Sequence, residues 1–186
     1  MNRTSAQKIS DVLIVLSILL LFCDILALPL IPALVFFRFH DPSWLWSVFQ
    51  YDFDDGIGNL LRVILEDAWQ QPHTAVLSLF LLVCAICAAV ILVQAIRILA
   101  TVADGIPFSL QNSVSLKRAA ASCFVISAAA LARTVFGIVR QQSFHPLFSY
   151  SALFVPLFLM AGLLCLIMSG LFCQATEIKS ENDLTI

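Results

Sequence analysis

The chain has 186 residues, of which 61% are hydrophobic and 12% are charged. Because soluble domains carry roughly one-quarter charged residues, a water-soluble fold of this size could not bury so much apolar surface. A formal net charge of -2 gives no basic surface for DNA or RNA, whose phosphates require clustered Lys and Arg. The composition therefore indicates an integral membrane protein.

The first apolar run, 12–37, follows Arg3 and Lys8. It is longer than the apolar region of a signal peptide and offers no convincing small-residue cleavage site, so we predict an uncleaved membrane anchor. Pro29 and Pro32 are expected to kink its second half, because each removes a backbone donor and clashes with the preceding turn. The chain thus begins with a bent span.

Three more runs are long enough to cross a hydrocarbon core of about 30 Å, which needs about 20 helical residues. They predict spans at 75–102, 119–139 and 150–173, with the last helix running on to Lys179. Small residues in the third and fourth spans favour close helix packing. These are Ala121, Ser127, Ala128, Ala132, Ala161, Gly162, Ser169 and Gly170. The predicted fold class is all-α: one polytopic membrane domain built as a four-transmembrane-helix bundle.

Four spans place both termini on one side, and the basic residues near the span ends indicate which side. Six of them fall with the termini and the middle loop, namely Arg3, Lys8, Arg97, Lys117, Arg118 and Lys179. Arg38, Arg62 and Arg140 fall on the other side. The bias predicts a cytoplasmic (inner or plasma) membrane protein with an extracytoplasmic loop 40–73, a cytoplasmic loop 103–118 and a cytoplasmic tail 174–186.

The extracytoplasmic loop contains a pattern typical of a short amphipathic helix. Apolar residues recur at helical spacing at Ile57, Leu60, Leu61, Ile64 and Leu65. Arg62 and Glu66 are spaced to pair across one turn. We therefore predict a short extracytoplasmic amphipathic helix on the outer membrane interface.

Two ionisable residues lie within predicted spans, Asp24 in the first and Arg133 in the third. Both lie about 14 to 15 positions from the cytoplasmic edge, hence at a similar depth at 1.5 Å per residue, which predicts an intramembrane ion pair. The functional interpretation is a proton- or ion-responsive pair. The structural interpretation, a buried pair that fixes helix neighbours, is favoured because one pair forms no relay.

No enzyme signature is present, and we expect neither catalytic residues nor a bound cofactor. His40, His73 and His145 fall at span ends, but no two have a local metal-ligand spacing. Cys84 and Cys87 have the Cys-x-x-Cys spacing, but a second pair is missing and both lie inside a span. No metal site is therefore predicted.

Two cytoplasmic segments carry a family resemblance. The loop contains Gly105, Pro107 and Phe108, and the tail ends in Glu181, Asn182, Asp183, Leu184, Thr185 and Ile186. Together they resemble a bacterial family of small four-span membrane proteins catalogued as domain of unknown function 2975. Members are often encoded beside a small helix-turn-helix regulator, so the resemblance implies a cytoplasmic DNA-binding partner that contacts these residues.

The local interpretation of the same residues is simpler. Gly105 ends the second helix, Pro107 prevents its continuation and Ser109 caps the next helix. Our leading hypothesis is a non-enzymatic regulatory or sensor protein that acts on a cytoplasmic partner. The alternative is an accessory subunit of a membrane transporter or envelope-stress system. Both hypotheses are compatible with a homo-oligomer.

Overall fold

The computed structural model describes residues 5–39, 58, 61–105, 109–142 and 145–183. Four long helices account for most of them: α1 (Ser5–Phe39), α2 (Pro72–Ala103), α3 (Leu110–Gln141) and α4 (Tyr150–Asp183). A π-helical turn, Val63–Asp67, and a short helix, Ala68–Gln70, precede α2, and a 3-10 turn, His145–Phe148, precedes α4. The described residues form no strand, and the all-α prediction is confirmed.

Each long helix contains a stretch that is long and apolar enough to cross a membrane: Gln7–Phe36, Pro72–Ala103, Leu110–Gln141 and Tyr150–Ile178. Each stretch is longer than the roughly 20 residues that a bilayer requires. The helix of α1 continues through Pro29 and Pro32. Four such helices make this a multi-pass membrane protein.

The ends of α2 and the start of α3 follow from local chemistry. Pro72 occupies the first helical position, where its missing N–H costs nothing, and the Gln71 carbonyl accepts from the Ala75 N–H. Gly105 ends the helix with φ of 78°, in the left-handed region that favours glycine. Ser109 caps α3 by accepting from the Asn112 N–H, as the sequence predicted.

The chain divides into two compact units. Unit 2, Asp24–Ile86, contains the second half of α1, the helical segment before α2 and the first half of α2. Its buried side chains combine apolar residues such as Ala33 and Phe80 with the hydroxyls of Thr74 and Ser78.

Unit 1, Met1–Cys23 with Cys87–Ile186, contains the first half of α1, the second half of α2 and all of α3 and α4. The buried face of α3 is built from small and polar residues, with Ile126 as its one large aliphatic side chain. Such a face lets neighbouring helices approach closely, which is how membrane helices gain packing that lipid cannot supply.

Two hydrogen-bonded contacts set the antiparallel register of α3 and α4. Ser113 contacts Ser169, and Ser127 donates its hydroxyl to the carbonyl oxygen of Val155 at 2.9 Å. The two contacts are separated by the same number of residues on both helices, so the helices stay in step over about 21 Å. Gly162 lies between them.

Candidate functional site at the terminal end

The first half of α1 packs against the rest of unit 1 through one narrow row of side chains. Ser10 is buried, and Ile14, Ser17 and Leu21 are half-buried, while most of the side chains between them are exposed. The steps of four, three and four residues match one edge of a helix. Because α1 begins and α4 ends at the same end of unit 1, we call it the terminal end.

Side-chain hydrogen bonds join α2 to its neighbours at the terminal end. Ser10 of α1 donates its hydroxyl to the carbonyl oxygen of Leu99 at 2.6 Å. Asn112 of α3, which is completely buried, donates its amide to the hydroxyl of Thr101 at 2.7 Å. The Thr101 hydroxyl in turn donates to the carbonyl oxygen of Ile98. These contacts fasten α1 and α3 to α2.

A reciprocal pair of serines joins α3 to α4 at the same end. Each hydroxyl of Ser113 and Ser169 donates to the backbone carbonyl oxygen of the other residue at 2.9 Å. The two hydroxyl oxygens are also 2.9 Å apart, and both side chains are buried. Because a buried hydroxyl without a partner is costly, this pair favours one register of the two helices.

These contacts form a continuous belt across four helices, which we call the polar belt. Its members are Ser10, Leu99, Thr101, Asn112, Ser113 and Ser169. The belt lies beside the turn between α2 and α3 and below the end of α4. The helices that lead into the loop and into the tail, the two segments that carry the family resemblance, are therefore hydrogen-bonded to their neighbours.

The end of α4 projects beyond this belt. The helix continues from Ser169 to Asp183, fourteen residues or about 21 Å, whereas α3 begins at Leu110, about 5 Å beyond Ser113. The first residue of α1, Ser5, lies five residues from Ser10, and the last residue of α2, Ala103, lies two residues from Thr101. The last turns of α4 therefore extend past the ends of the other three long helices, and we call residues 174–183 the projecting helix.

One face of the projecting helix is exposed throughout. Gln174, Glu177, Ile178 and Glu181 are all exposed, and Ile178 retains 62% of its accessible surface. They occupy positions i, i+3, i+4 and i+7 of one helical face. An exposed isoleucine flanked by carboxylates is thus presented on a regular helix.

Of the residues that the sequence predicted as partner contacts, Gly105, Glu181, Asn182 and Asp183 are described, and all four lie at the terminal end. Gly105 is exposed in the turn after α2, and the Gln7 amide nitrogen would lie 3.5 Å from a Cβ added there. Asn182 and Asp183 continue α4 as helix, four residues beyond the predicted end at Lys179. Pro107, Phe108, Leu184, Thr185 and Ile186 lie outside the described residues.

Asp24 and Arg133 belong to different units, so their pairing stays a prediction. The guanidinium carbon of Arg133 lies 5.0 Å from the ring centroid of Tyr150, the first residue of α4, within the range of cation–π attraction. One carboxylate oxygen of Asp24 is buried and has no hydrogen-bond partner among the described residues. Such an oxygen is costly unless a donor or a proton reaches it.

The other candidate ligands do not converge within the described ranges. No three His, Cys, Asp or Glu side chains there are grouped in a way that could hold a metal ion, and His40 lies outside those ranges. All six cysteines are free thiols, with Cys87 buried and Cys84 half-buried on α2.

We predict that Ser113→Ala and Ser169→Ala each lower the free energy of unfolding by about 0.6–1.7 kcal/mol, the range of hydrogen bonds between membrane helices. The double variant should lose less than the two single losses combined, because each serine serves the other. Unfolding in mixed detergent micelles with added SDS measures all three variants.

The matched control for the serine pair is Ser180→Ala. Its hydroxyl is exposed and donates to the Glu177 carbonyl within the same helix, so we expect a change within about 0.5 kcal/mol. Strictly additive losses at Ser113 and Ser169 would mean that the two hydroxyls do not depend on each other.

The fold and the site define a class: a small all-α, multi-pass membrane protein whose four long helices are joined at one end by polar contacts. The chain belongs to the family described as "Protein of unknown function (DUF2975)", whose family model matches residues 42–186. The match includes α2, α3 and α4 with Arg133 and the projecting helix, whereas α1 and Asp24 precede it. No curated protein and no solved structure matches the chain.

The polar belt is the feature that the sequence did not reveal. In the sequence Ser169 stood out only as a small residue, whereas Ser10, Thr101, Asn112 and Ser113 had no predicted role. Small polar side chains of this kind are common in membrane helices, so their residue types alone do not mark them as a set. Pairing them requires knowing which helices are neighbours and in which register they pack.

Proposed function

We propose that this protein is a non-enzymatic membrane regulator that holds a cytoplasmic partner, such as a helix-turn-helix transcription regulator, on its projecting helix. The observation that carries the proposal is the exposed face of Gln174, Glu177, Ile178 and Glu181. Helices dock into a protein groove through residues that share one face, and on this face Ile178 is the apolar anchor. The excess of Lys and Arg near the terminal end supports its cytoplasmic orientation.

The chemistry of this face indicates the kind of groove that would accept it. Ile178 would fill an apolar pocket, and burying an isoleucine side chain stabilises a complex by about 1.5–3 kcal/mol. Glu177 and Glu181 flank it, so a basic rim on the partner would complement the helix. The Ser113–Ser169 contact holds α4 five residues before the projecting helix begins, which reduces the entropy lost on binding.

The test is affinity purification from native membranes in mild detergent, followed by identification of the co-purifying proteins. We expect a soluble partner with the full chain, and its recovery should fall about tenfold or more with Ile178→Ser, since 1.4 kcal/mol corresponds to a tenfold change in affinity. Truncation after Gln174 should abolish recovery while leaving every contact of the polar belt in place.

Ser180→Ala is again the matched control, because this residue lies outside the proposed contact face. Equal recovery of the soluble partner with Ile178→Ser and with the full chain would contradict the proposal. Recovery of membrane subunits by both the full and the truncated chain would favour the accessory-subunit hypothesis instead.

A further inference from the structure

The helical segment before α2 exposes a row of large apolar side chains. Leu61 retains 50% of its accessible surface, Leu65 retains 71% and Trp69 retains 40%. The three residues are spaced four apart, so they lie near one another on one side of the segment. Ile64, which the sequence pattern placed with Leu61 and Leu65, is half-buried. Ile57 and Leu60, the other two members of the predicted apolar face, lie outside the described residues, and the exposed row extends to Trp69.

The indole N–H of Trp69 already has a hydrogen-bond partner within the protein. Its Nε1–H donates to the carbonyl oxygen of Ile64 at 2.9 Å. Ile64 lies in the π-helical turn. Because this bond satisfies the indole N–H within the protein, the ring can enter an apolar phase without leaving a donor unpaired.

The polar side of the segment contains an ion pair between Arg62 and Glu66, whose two charges cancel. Arg62 Nε lies 3.8 Å from Glu66 Oε2, and both side chains are largely exposed. This confirms the pairing expected from their spacing. The segment 61–70 carries one cation, Arg62, against two acidic residues, Glu66 and Asp67, so it has little electrostatic attraction for anionic headgroups. Any attraction to a membrane must therefore come mainly from Leu61, Leu65 and Trp69.

The chain holds this row close to the boundary of the membrane. One residue, Gln71, separates the short helix from Pro72, where α2 begins and where its apolar stretch also begins. One residue spans at most about 3.6 Å, so the segment cannot move far from the start of the span. The Gln71 carbonyl also accepts from the Thr74 hydroxyl and the Ala75 N–H, which fixes the junction.

We propose that Leu61, Leu65 and Trp69 form a lipid-binding surface that lies among the acyl chains at the membrane boundary beside the start of α2. The ligand class is the acyl chain of a membrane lipid, whatever its headgroup. The row directly precedes the membrane-spanning helix α2 along the chain. Amphipathic helical segments lie in the membrane interface with their apolar side in the lipid. This inference does not depend on the proposed regulatory function.

The experiment uses the full chain with Trp44→Phe and Trp46→Phe, so that Trp69 is the one remaining tryptophan. The purified protein is reconstituted into phosphatidylcholine vesicles with either plain or brominated acyl chains, and its emission is recorded. We expect brominated chains to quench Trp69 and soluble acrylamide to quench it weakly. We also expect the same quenching after phosphatidylglycerol is added, since the binding is apolar.

A second variant separates lipid contact from a folding defect. Leu65→Ser in the same background should leave the protein monodisperse but reduce quenching by brominated lipid and increase quenching by acrylamide. Strong acrylamide quenching without bromolipid quenching in the single-tryptophan protein would overturn the proposal, because it would show that Trp69 faces water. A requirement for anionic lipid would overturn the assignment to acyl chains.

Discussion

Gly162→Leu is expected to lower the free energy of unfolding by about 1–3 kcal/mol, because it forces a side chain into the contact between α3 and α4. A Cβ at Gly162 would lie 2.9 Å from Cε1 and 3.1 Å from Cζ of the Phe124 ring. The two helices are held in register on both sides of this point by Ser113–Ser169 and Ser127–Val155. They cannot separate here without losing these hydrogen bonds.

The chain provides a matched control for this substitution at Gly170, eight residues along the same helix. A Cβ there would meet nothing within 4 Å. Gly170→Leu should be neutral or slightly stabilising, since glycine in a helix interior costs about 1 kcal/mol relative to alanine. Unfolding in mixed detergent micelles and the yield of monodisperse protein measure both variants.

The ring of Phe124 provides the complementary test. Phe124→Leu should recover part of the stability lost in Gly162→Ala, because the smaller side chain leaves room for the added Cβ. Equal effects of leucine at Gly162 and at Gly170 would contradict the close approach of α3 and α4 and the register described for unit 1.

The second large effect concerns the predicted pair of Asp24 and Arg133. If the two side chains pair within the membrane, Asp24→Asn and Arg133→Gln should each lower the free energy of unfolding by about 3–5 kcal/mol, the cost of leaving one buried charge without its partner. The double variant, which removes both charges, should recover much of that loss. The same unfolding assay, run as a double-mutant cycle, gives the coupling energy.

Tyr150→Leu distinguishes this pairing from the contact that Arg133 makes with the Tyr150 ring. A cation–π contact contributes about 0.5–2 kcal/mol, less than a buried ion pair. If Tyr150→Leu reproduces the effect of Arg133→Gln while Asp24→Asn has none, Arg133 stabilises the start of α4 and the pairing is wrong. Loss of ion flux in Asp24→Asn at full stability would instead favour the transport hypothesis.

The sequence predicted the number and class of the long helices because lipid imposes a simple length requirement. A run of about 20 apolar residues can cross the bilayer only as a helix, since every backbone polar group must be paired within the segment. Local chemistry also predicted the cap at Ser109 and the Arg62–Glu66 pair, because both depend on residues within one helical turn.

Hydropathy was a weaker guide to where the helices end. The third span was predicted from residue 119, yet α3 begins at Leu110 because Ser109 caps it and because packing buries Asn112 and Ser113. The fourth helix continues to Asp183, past the apolar run, since helical hydrogen bonds do not require apolar side chains. An apolar run marks the part of a helix that lipid can cover, and other forces extend it.

The sequence identified the small residues of the third and fourth spans, but it did not show which of them face a neighbouring helix. Ser127, Gly162 and Ser169 lie buried between helices, whereas Ala121, Ala128, Ala132 and Gly170 are exposed. In a membrane both lipid and protein surroundings are apolar, so hydropathy gives no periodic signal that separates the two faces of a helix.

The amino-acid sequence by itself determined that this protein lies in the membrane, that it is helical and that it has four helices long and apolar enough to cross the bilayer, because these properties depend on contacts between each segment and lipid. Only the tertiary structure decided that Ser10, Thr101, Asn112, Ser113 and Ser169 form one belt. It also decided that the end of α4 extends past its neighbours. These features depend on the relative register of helices that are distant in sequence, and hydrogen bonds and close packing between the helices set that register.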